Sequence, residues 1–256
     1  MTVGEPVARV AALYDVHGNP PALKAALAAA EAELPDMIVF GGDMALGPMP
    51  AEVLDMIVGL GDRVVCLRGN CDRLMVDAFD GRLSERLPAM VREPIEWSAR
   101  QISRGQRDFL ASLPATIRIL IDGIGPTLFC HATPSSDELI FTERTPTERL
   151  QGLLGQVAER VIVCGHTHAQ FRRRVDDREV VNAGSVGMPY GEPGAHWLQI
   201  GPGLEHRRAV YDAAAAARLL ERSTFPNARV FVERHVLHHP PLSEMFAAFE
   251  PDQPQE

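Results

Sequence analysis

The chain has 256 residues, 46% of them apolar, and a formal net charge of −9 at pH 7. That length and apolar content support a substantial core and exclude a disordered or fibrous protein. The acidic balance excludes broad electrostatic binding to nucleic acid or to an anionic membrane, so an anionic substrate has to be met by local positive charge such as bound cations.

Val7 to Tyr14 is an apolar run that stops at Asp15-Val16-His17-Gly18-Asn19-Pro20-Pro21, and Ala22 to Leu34 follows with helical spacing. This is strand, loop, helix, with the proline pair in the first helical turn, where a missing N–H costs nothing. Met37 to Phe40 is a second strand ending in Gly41-Gly42-Asp43, and Ala51 to Leu60 a second helix. Arg63 to Leu67 is a third strand, ending in Arg68-Gly69-Asn70-Cys71-Asp72. Each unit places polar, metal-competent residues after its strand, where open α/β sheets build their sites.

From Arg73 to Gly125 strand-like runs are sparse, and Ala89 to Trp97 and Gln106 to Leu113 have amphipathic helical spacing. We expect a helical excursion that either packs beside the site or acts as a lid over it. Thr127 to Cys130 returns to strand and ends in His131, and Thr147 to Arg160 has helical character. Val161 to Cys164 is a short run rich in β-branched residues, the pattern of a strand buried on both faces, and it ends in Gly165-His166-Thr167-His168. Alternation along an extended chain sends residues i and i+2 to one side, which predicts that both imidazoles face one point.

Beyond His168 the period changes to two. Phe171 to Val175 and Glu179 to Asn182 form a hairpin, and His196 to Ile200 with Glu205 to Tyr211 form another. These pairs suggest a second sheet packed on the first. Ala213 to Arg222 is a helix, Pro226 to Phe249 one or two helices, and Pro251 to Glu256 a frayed tail. With no repeat and no low-complexity linker, the expectation is one domain over residues 1–256, carrying an excursion at 73–125 and a C-terminal helical segment at 213–250. No stretch approaches the roughly 18 consecutive apolar residues of a membrane helix and no basic-then-apolar leader is evident, so a cytoplasmic location is expected. Cys66, Cys71, Cys130 and Cys164 lack close pairing and no disulfide framework is expected.

The strand ends collect Asp15, His17, Asp43, Asn70, His131, His166 and His168. Mixed oxygen and nitrogen donors suit first-row divalent metals rather than calcium, and the absence of cysteine from the set argues against a closed structural zinc site. Seven donors are too many for one ion, so two are expected.

Asp15-x-His17, Gly42-Asp43, Gly69-Asn70-Cys71-Asp72, His131 and Gly165-His166-x-His168, in that order over roughly residues 7 to 190, resemble the calcineurin-like metallophosphoesterase family. The Gly69-Asn70-Cys71-Asp72 form and Asn182-Ala183-Gly184-Ser185-Val186-Gly187 are most similar to its small prokaryotic phosphodiesterase branch. The resemblance implies an α/β fold, a four-layer α-β-β-α sandwich of two mixed sheets, with a dinuclear centre of Mn, Fe, Zn, Ni or Co, manganese favoured. Carried over by position, Asp15, His17 and His168 would hold the first metal; Asn70, His131 and His166 would hold the second; Asp43 would bridge both. A carboxylate can share its lone pairs between two cations, whereas an imidazole nitrogen serves one. The implied reaction is hydrolysis of a phosphate ester, most of all a diester, by in-line attack of metal-bound hydroxide without a covalent intermediate. The implied partner is a small phosphate ester or nucleotide, and a homo-oligomer is compatible with the sequence.

Catalytic candidates are Asn70, Cys71 and Asp72. Cys71 stands where many relatives carry a histidine that protonates the leaving oxygen, and a neutral thiol is a poor acid for that purpose. It is read either as that weakened element or as packing, and Asp72 as an orienting residue. Substrate-binding candidates are Asn19, Arg68 and Asn70, the first two able to donate to a phosphate oxygen or to cap a turn. Ser185 lacks the strand–turn–helix context of a nucleophile or phosphate cradle and is read as structural. His196, His206, His235, His238 and His239 have no ligand partners at suitable spacing, and Arg172-Arg173-Arg174 reads as a solvated face. The rivals are a nucleotide or protein phosphomonoesterase, and a non-catalytic scaffold of the same fold.

Overall fold

Strand burial explains the order of layers. In the computed structural model, which describes residues 4–250, β1 (Val10–Leu13) sends Ala11 and Leu13 into one core and Val10 and Ala12 into another. Likewise β6 (Val161–Cys164) divides Val161 and Val163 from Ile162 and Cys164. Strands covered on both faces have no polar face to show, which is why they appear as unbroken apolar runs.

Two five-stranded mixed sheets result. In the first, β1, β2 (Met37–Phe40) and β3 (Val64–Cys66) run parallel, and β9 (Ala195–Ile200) with β10 (Leu204–Ala209) extends the β1 side antiparallel. In the second, β5 (Gly125–Cys130), β6 and β8 (Arg178–Asn182) are parallel, flanked by antiparallel β4 (Thr116–Ile121) and β7 (Phe171–Val175). The middle core, with Tyr14, Phe129 and Leu198, lies between the sheets. Helices α1 (Pro20–Ala32), α2 (Pro50–Val58), α3 (Asn70–Phe79), α4 (Ala89–Gln101) and α5 (Arg104–Ser112) cover the first sheet, and α6 (Thr147–Leu154) covers the second. This is the expected four-layer sandwich.

Four details differ from expectation. The two hairpins do not form a sheet of their own: β7–β8 joins the sheet of β6 and β9–β10 the sheet of β1. Strand β4 lies inside the stretch read as a helical excursion, its Ile117, Ile119 and Ile121 facing the middle core while Arg118 and Leu120 stay exposed. That period-two pattern belongs to an edge strand open on one side. The helix predicted to reach Arg160 stops at Leu154, where Gly155 takes φ +60°. And α4 and α5 bury Ile95, Ile102 and Leu110 in the first core, which makes them part of the helical layer. The tail from Pro251 lies outside the described residues.

The C-terminal segment comprises α7 (Ala213–Leu220), α8 (Ala228–Val232), a π-helical turn over Glu233–Leu237, and α9 (Leu242–Phe249). It packs on Met49, Met188 and Tyr190, loop residues beside the strand ends. No described helix is long and apolar enough to cross a membrane.

Candidate metal centre

The carboxyl ends of β1, β2 and β3 in one sheet meet those of β5 and β6 in the other, and all seven predicted donors sit there. They do not converge by strand alternation. Asp15, His17, Asp43, His166 and His168 adopt φ between +48° and +68°, so the ends of β1, β2 and β6 break into left-handed backbone, whereas Asn70 and His131 arrive without it. Such conformations cost on the order of 1 kcal/mol or more each for residues with a Cβ and persist only where surrounding bonds impose them. Here Asp15 N–H donates to Gly42 O, His17 N–H to Asp43 O, and Gly187 N–H to Asp15 O. Gly42, at φ +92°, lets Gly69 approach so closely that a Cβ would lie 2.4 Å from its nitrogen. Gly41 and Gly165 leave room for the Tyr14 ring, whose hydroxyl donates to Val163 O across the sheets.

The outer nitrogen of each histidine meets a backbone carbonyl: His17 Nδ1 at Leu46, His131 Nδ1 at Gly41, His166 Nε2 at Glu138 and His168 Nδ1 at Met188. A carbonyl accepts only, so the outer nitrogen carries the proton and the inner lone pair faces the site, the arrangement that orients metal-bound imidazoles. Inside, His17 Nε2 and His168 Nε2 stand 3.1 Å apart, and Asp15 Oδ1 is buried with no hydrogen-bond partner. Asn70 Oδ1 lies 3.2 Å from His131 Nε2 and from His166 Nδ1, and 3.3 Å from Asp43 Oδ2. Turning the amide over would satisfy these neighbours as a donor, but would leave the His17–His168 pair and Asp15 Oδ1 facing one another unresolved. Lone pairs converging without hydrogens between them fit divalent cations.

Three groups have ligand atoms within 4.8 Å of one another: Asp15 with His17 and His168, Asp43 with His131 and His166, and, between them, His17 with Asp43 and Cys71. Asp43 Oδ2 is 3.9 Å from His17 Nε2 and 3.4 Å from His131 Nε2, so it stands between them. Burial works to raise the Asp43 carboxyl, yet His131 and His17 hold it well below the ordinary range. Burial works to lower His131, and Asp43 overrides it, pushing the imidazole up to about 10. Burial and His168 together push His17 down to about 4. With cations in place the proton on His131 would be displaced, because a positive ion takes over its electrostatic role.

Of the other candidates, Asp72 is fully buried and accepts from the N–H groups of Asp43 at 2.7 Å, Met44 at 3.1 Å and Gly69 at 3.0 Å, tying the two loops that carry Asp43 and Asn70. Burial and Asp43 push it up to about 7. Cys71 donates its backbone N–H to Asp43 Oδ1, and its thiol, near Asp43 and His17, is pushed well up by burial and by Asp43. Asn19 Oδ1 caps α1 by accepting from Ala22, and its amide donates to Gly187 O within a fully buried setting. Arg68 borders a cavity that also touches His131. Ser185 Oγ donates to Asp15 O and accepts from Met188 N–H, a structural role.

Two features escape sequence reasoning. The loop after His131 brings Asp137 and Glu138 over the site, tied by a bidentate bridge from Arg73 to Asp137. The π-helical turn brings in His235, with a buried, unpartnered Nδ1; burial and then His168 and His17 push it down to about 3. Spacing carries no signal for a histidine supplied from 67 residues downstream of His168.

A family model described as the calcineurin-like phosphoesterase superfamily domain matches residues 9–199. Comparison with curated proteins gives no match. Among solved structures, a metallophosphoesterase from Sphaerobacter thermophilus is similar at 24% identity and TM-score 0.71, covering 91% of this chain and 99% of that one. The hypothetical protein PH1004 from Pyrococcus horikoshii OT3 is similar at 19% identity and TM-score 0.76, covering 94% of this chain and 100% of that one.

Proposed function

The chain belongs to the calcineurin-like phosphoesterase superfamily and is a metal-dependent phosphoesterase, and from that premise we propose that it is a dinuclear-metal phosphodiesterase. The observation that carries the reading is Asp43, which stands between two donor groups whose lone pairs converge, with Asp15 Oδ1 buried beside it without a hydrogen-bond partner. In this reading Asp15, His17 and His168 hold one cation, Asn70, His131 and His166 the other, and Asp43 both; manganese is the favoured occupant. Divalent cations held there supply Lewis acidity, polarising a phosphoryl oxygen and lowering the pKa of water.

The chain's own groups support hydrolysis without a covalent intermediate. Ser185 is committed to two backbone bonds, and burial and Asp43 push the Cys71 thiol well up, away from the nucleophilic thiolate. The same shift makes Cys71 a poor proton donor to a leaving oxygen. We therefore read a preference for leaving groups that need little protonation, such as aryl esters and nucleotides, over simple alkyl monoesters. Asp72 positions Asp43 and Asn70 through their loops.

Metal content and hydrolysis of bis(p-nitrophenyl) phosphate, measured on the wild type and on Asp43→Ala, test the core of the proposal. Loss of both supports it; unaltered metal content with no hydrolysis in either protein would favour a scaffold. Equal rates on the aryl diester and on alkyl phosphates would defeat the leaving-group preference.

A further inference from the structure

Beside the centre lies a cavity of about 200 Å³ between the end of β3, the start of α3 and the loop after His131. His131 is part of its wall, so the cavity opens next to the donor group containing Asn70. Two arginines line it and they differ in their partners. Arg73 is neutralised by Asp137 and Glu138, at 2.9 Å and 2.6 Å. Arg68 has no such pairing: its Nε is buried without a hydrogen-bond partner, and it forms no ion pair with a carboxylate among the described residues.

A part-buried guanidinium normally finds a carboxylate or carbonyl, because the desolvated donors otherwise cost more than they return. Its backbone is anchored by donating to Pro114 O, which holds the side chain's root at the cavity wall. The remaining lining is suited to an anion: Ser135 and Ser136 bring hydroxyl groups, Thr133 Oγ1 already donating to Ser136 O, while the one acidic side chain that lines it, Asp137, is taken by Arg73. Hydroxyls and an unclaimed planar donor fork match a phosphate group.

We propose that this cavity is a subsite for a second phosphate of the substrate, distinct from the scissile one, with Arg68 as its main ligand. The enzyme's substrate class is then a nucleotide carrying a phosphate besides the ester that is cleaved. The inference rests on the phosphodiesterase reading for the scissile group, and on the Arg68 cavity for the rest.

Two measurements separate these supports. Binding of thymidine 5′-phosphate and of thymidine 3′,5′-bisphosphate is titrated calorimetrically on wild type, Arg68→Gln and Arg68→Lys, each checked for an unchanged melting temperature. Wild type should prefer the bisphosphate by about tenfold or more, the preference should vanish in Arg68→Gln, and Arg68→Lys should restore part of it. Equal affinity for both nucleotides in wild type, or a preference that survives Arg68→Gln, overturns the subsite whatever the protein hydrolyses. Turnover of the 5′-p-nitrophenyl esters of the same two nucleotides gives the second readout. Arg68→Gln should raise KM for the ester bearing the 3′-phosphate by a clearly larger factor than KM for the other ester. An equal effect on both esters would make Arg68 a ligand of the scissile phosphate and overturn the separate subsite. No turnover of either ester, with the binding preference intact, would count against the phosphodiesterase reading alone.

Discussion

The strand-end centre and the helical layer over the first sheet handle charge in opposite ways. In the layer, Asp80 is met by an exposed Arg82 and a part-buried Arg107, and Glu96 by Arg92 at a site open to solvent. At the centre, Asp15 and Asp43 are buried, no arginine pairs with them, and imidazoles surround them. Surface pairs are screened and contribute little to stability, whereas buried carboxylates are costly unless something positive joins them, here the His131 imidazole that Asp43 pushes up to about 10 or a cation in its place. The first arrangement decorates a fold; the second keeps a place for ions at the expense of apo-state stability.

That contrast can be broken most severely at Asp43. Asp43→Ala should abolish stoichiometric metal binding and lower kcat/KM on the order of a thousandfold or more, the scale seen when one electrostatic group is removed from a site, with elemental analysis and steady-state kinetics as the checks. Asp72→Asn leaves every ligand in place but weakens three backbone bonds that hold the two loops. Metal affinity should fall roughly 10- to 100-fold, measured by competition with a chelator, with a small change in melting temperature.

Gly42→Ala probes the backbone cost of convergence, since a Cβ there would sit 2.4 Å from Gly69 nitrogen at φ +92°. It should destabilise the fold by about 3 kcal/mol, read from denaturant unfolding. A further prediction concerns a buried histidine outside the donor set. Burial pushes His196 down to about 4, despite its bond to Glu192 O. As pH falls the unfolded chain is protonated first, so this contribution is intact above about pH 6.5, and is lost progressively toward pH 4, amounting to roughly 3 kcal/mol. Unfolding free energies across that range should show a shallower acid slope in His196→Gln; an unchanged slope would refute the assignment. The smallest effect belongs to the helical layer: Arg107→Ala should leave metal content and kinetics untouched and move the melting temperature only slightly.

How much was legible in the chain depends on how local the cause is. Buried runs such as Val161 to Cys164 announce strands because residues covered on both faces must be apolar, and the donor types at their ends announce chemistry because few other roles need them. Asn19 was ambiguous because capping a helix and binding a phosphate ask for the same amide. Strand β4 was missed although its alternation is plain, since its neighbours are helical. Its single buried face gives a weaker signal than β6.

By itself the sequence determined the parallel strand–loop–helix units and the attachment of seven candidate donors to strand ends, because these follow from periodicity and side-chain chemistry within a few residues. Only the tertiary structure decided which sheet each hairpin joins, that left-handed backbone carries five of the seven candidate donors, that Asn19 caps α1, and that Arg68 is unpaired while Arg73 is not. Those outcomes depend on which distant groups arrive at the same point, and a chain read in order carries residue types and spacings but not the partners that packing will supply.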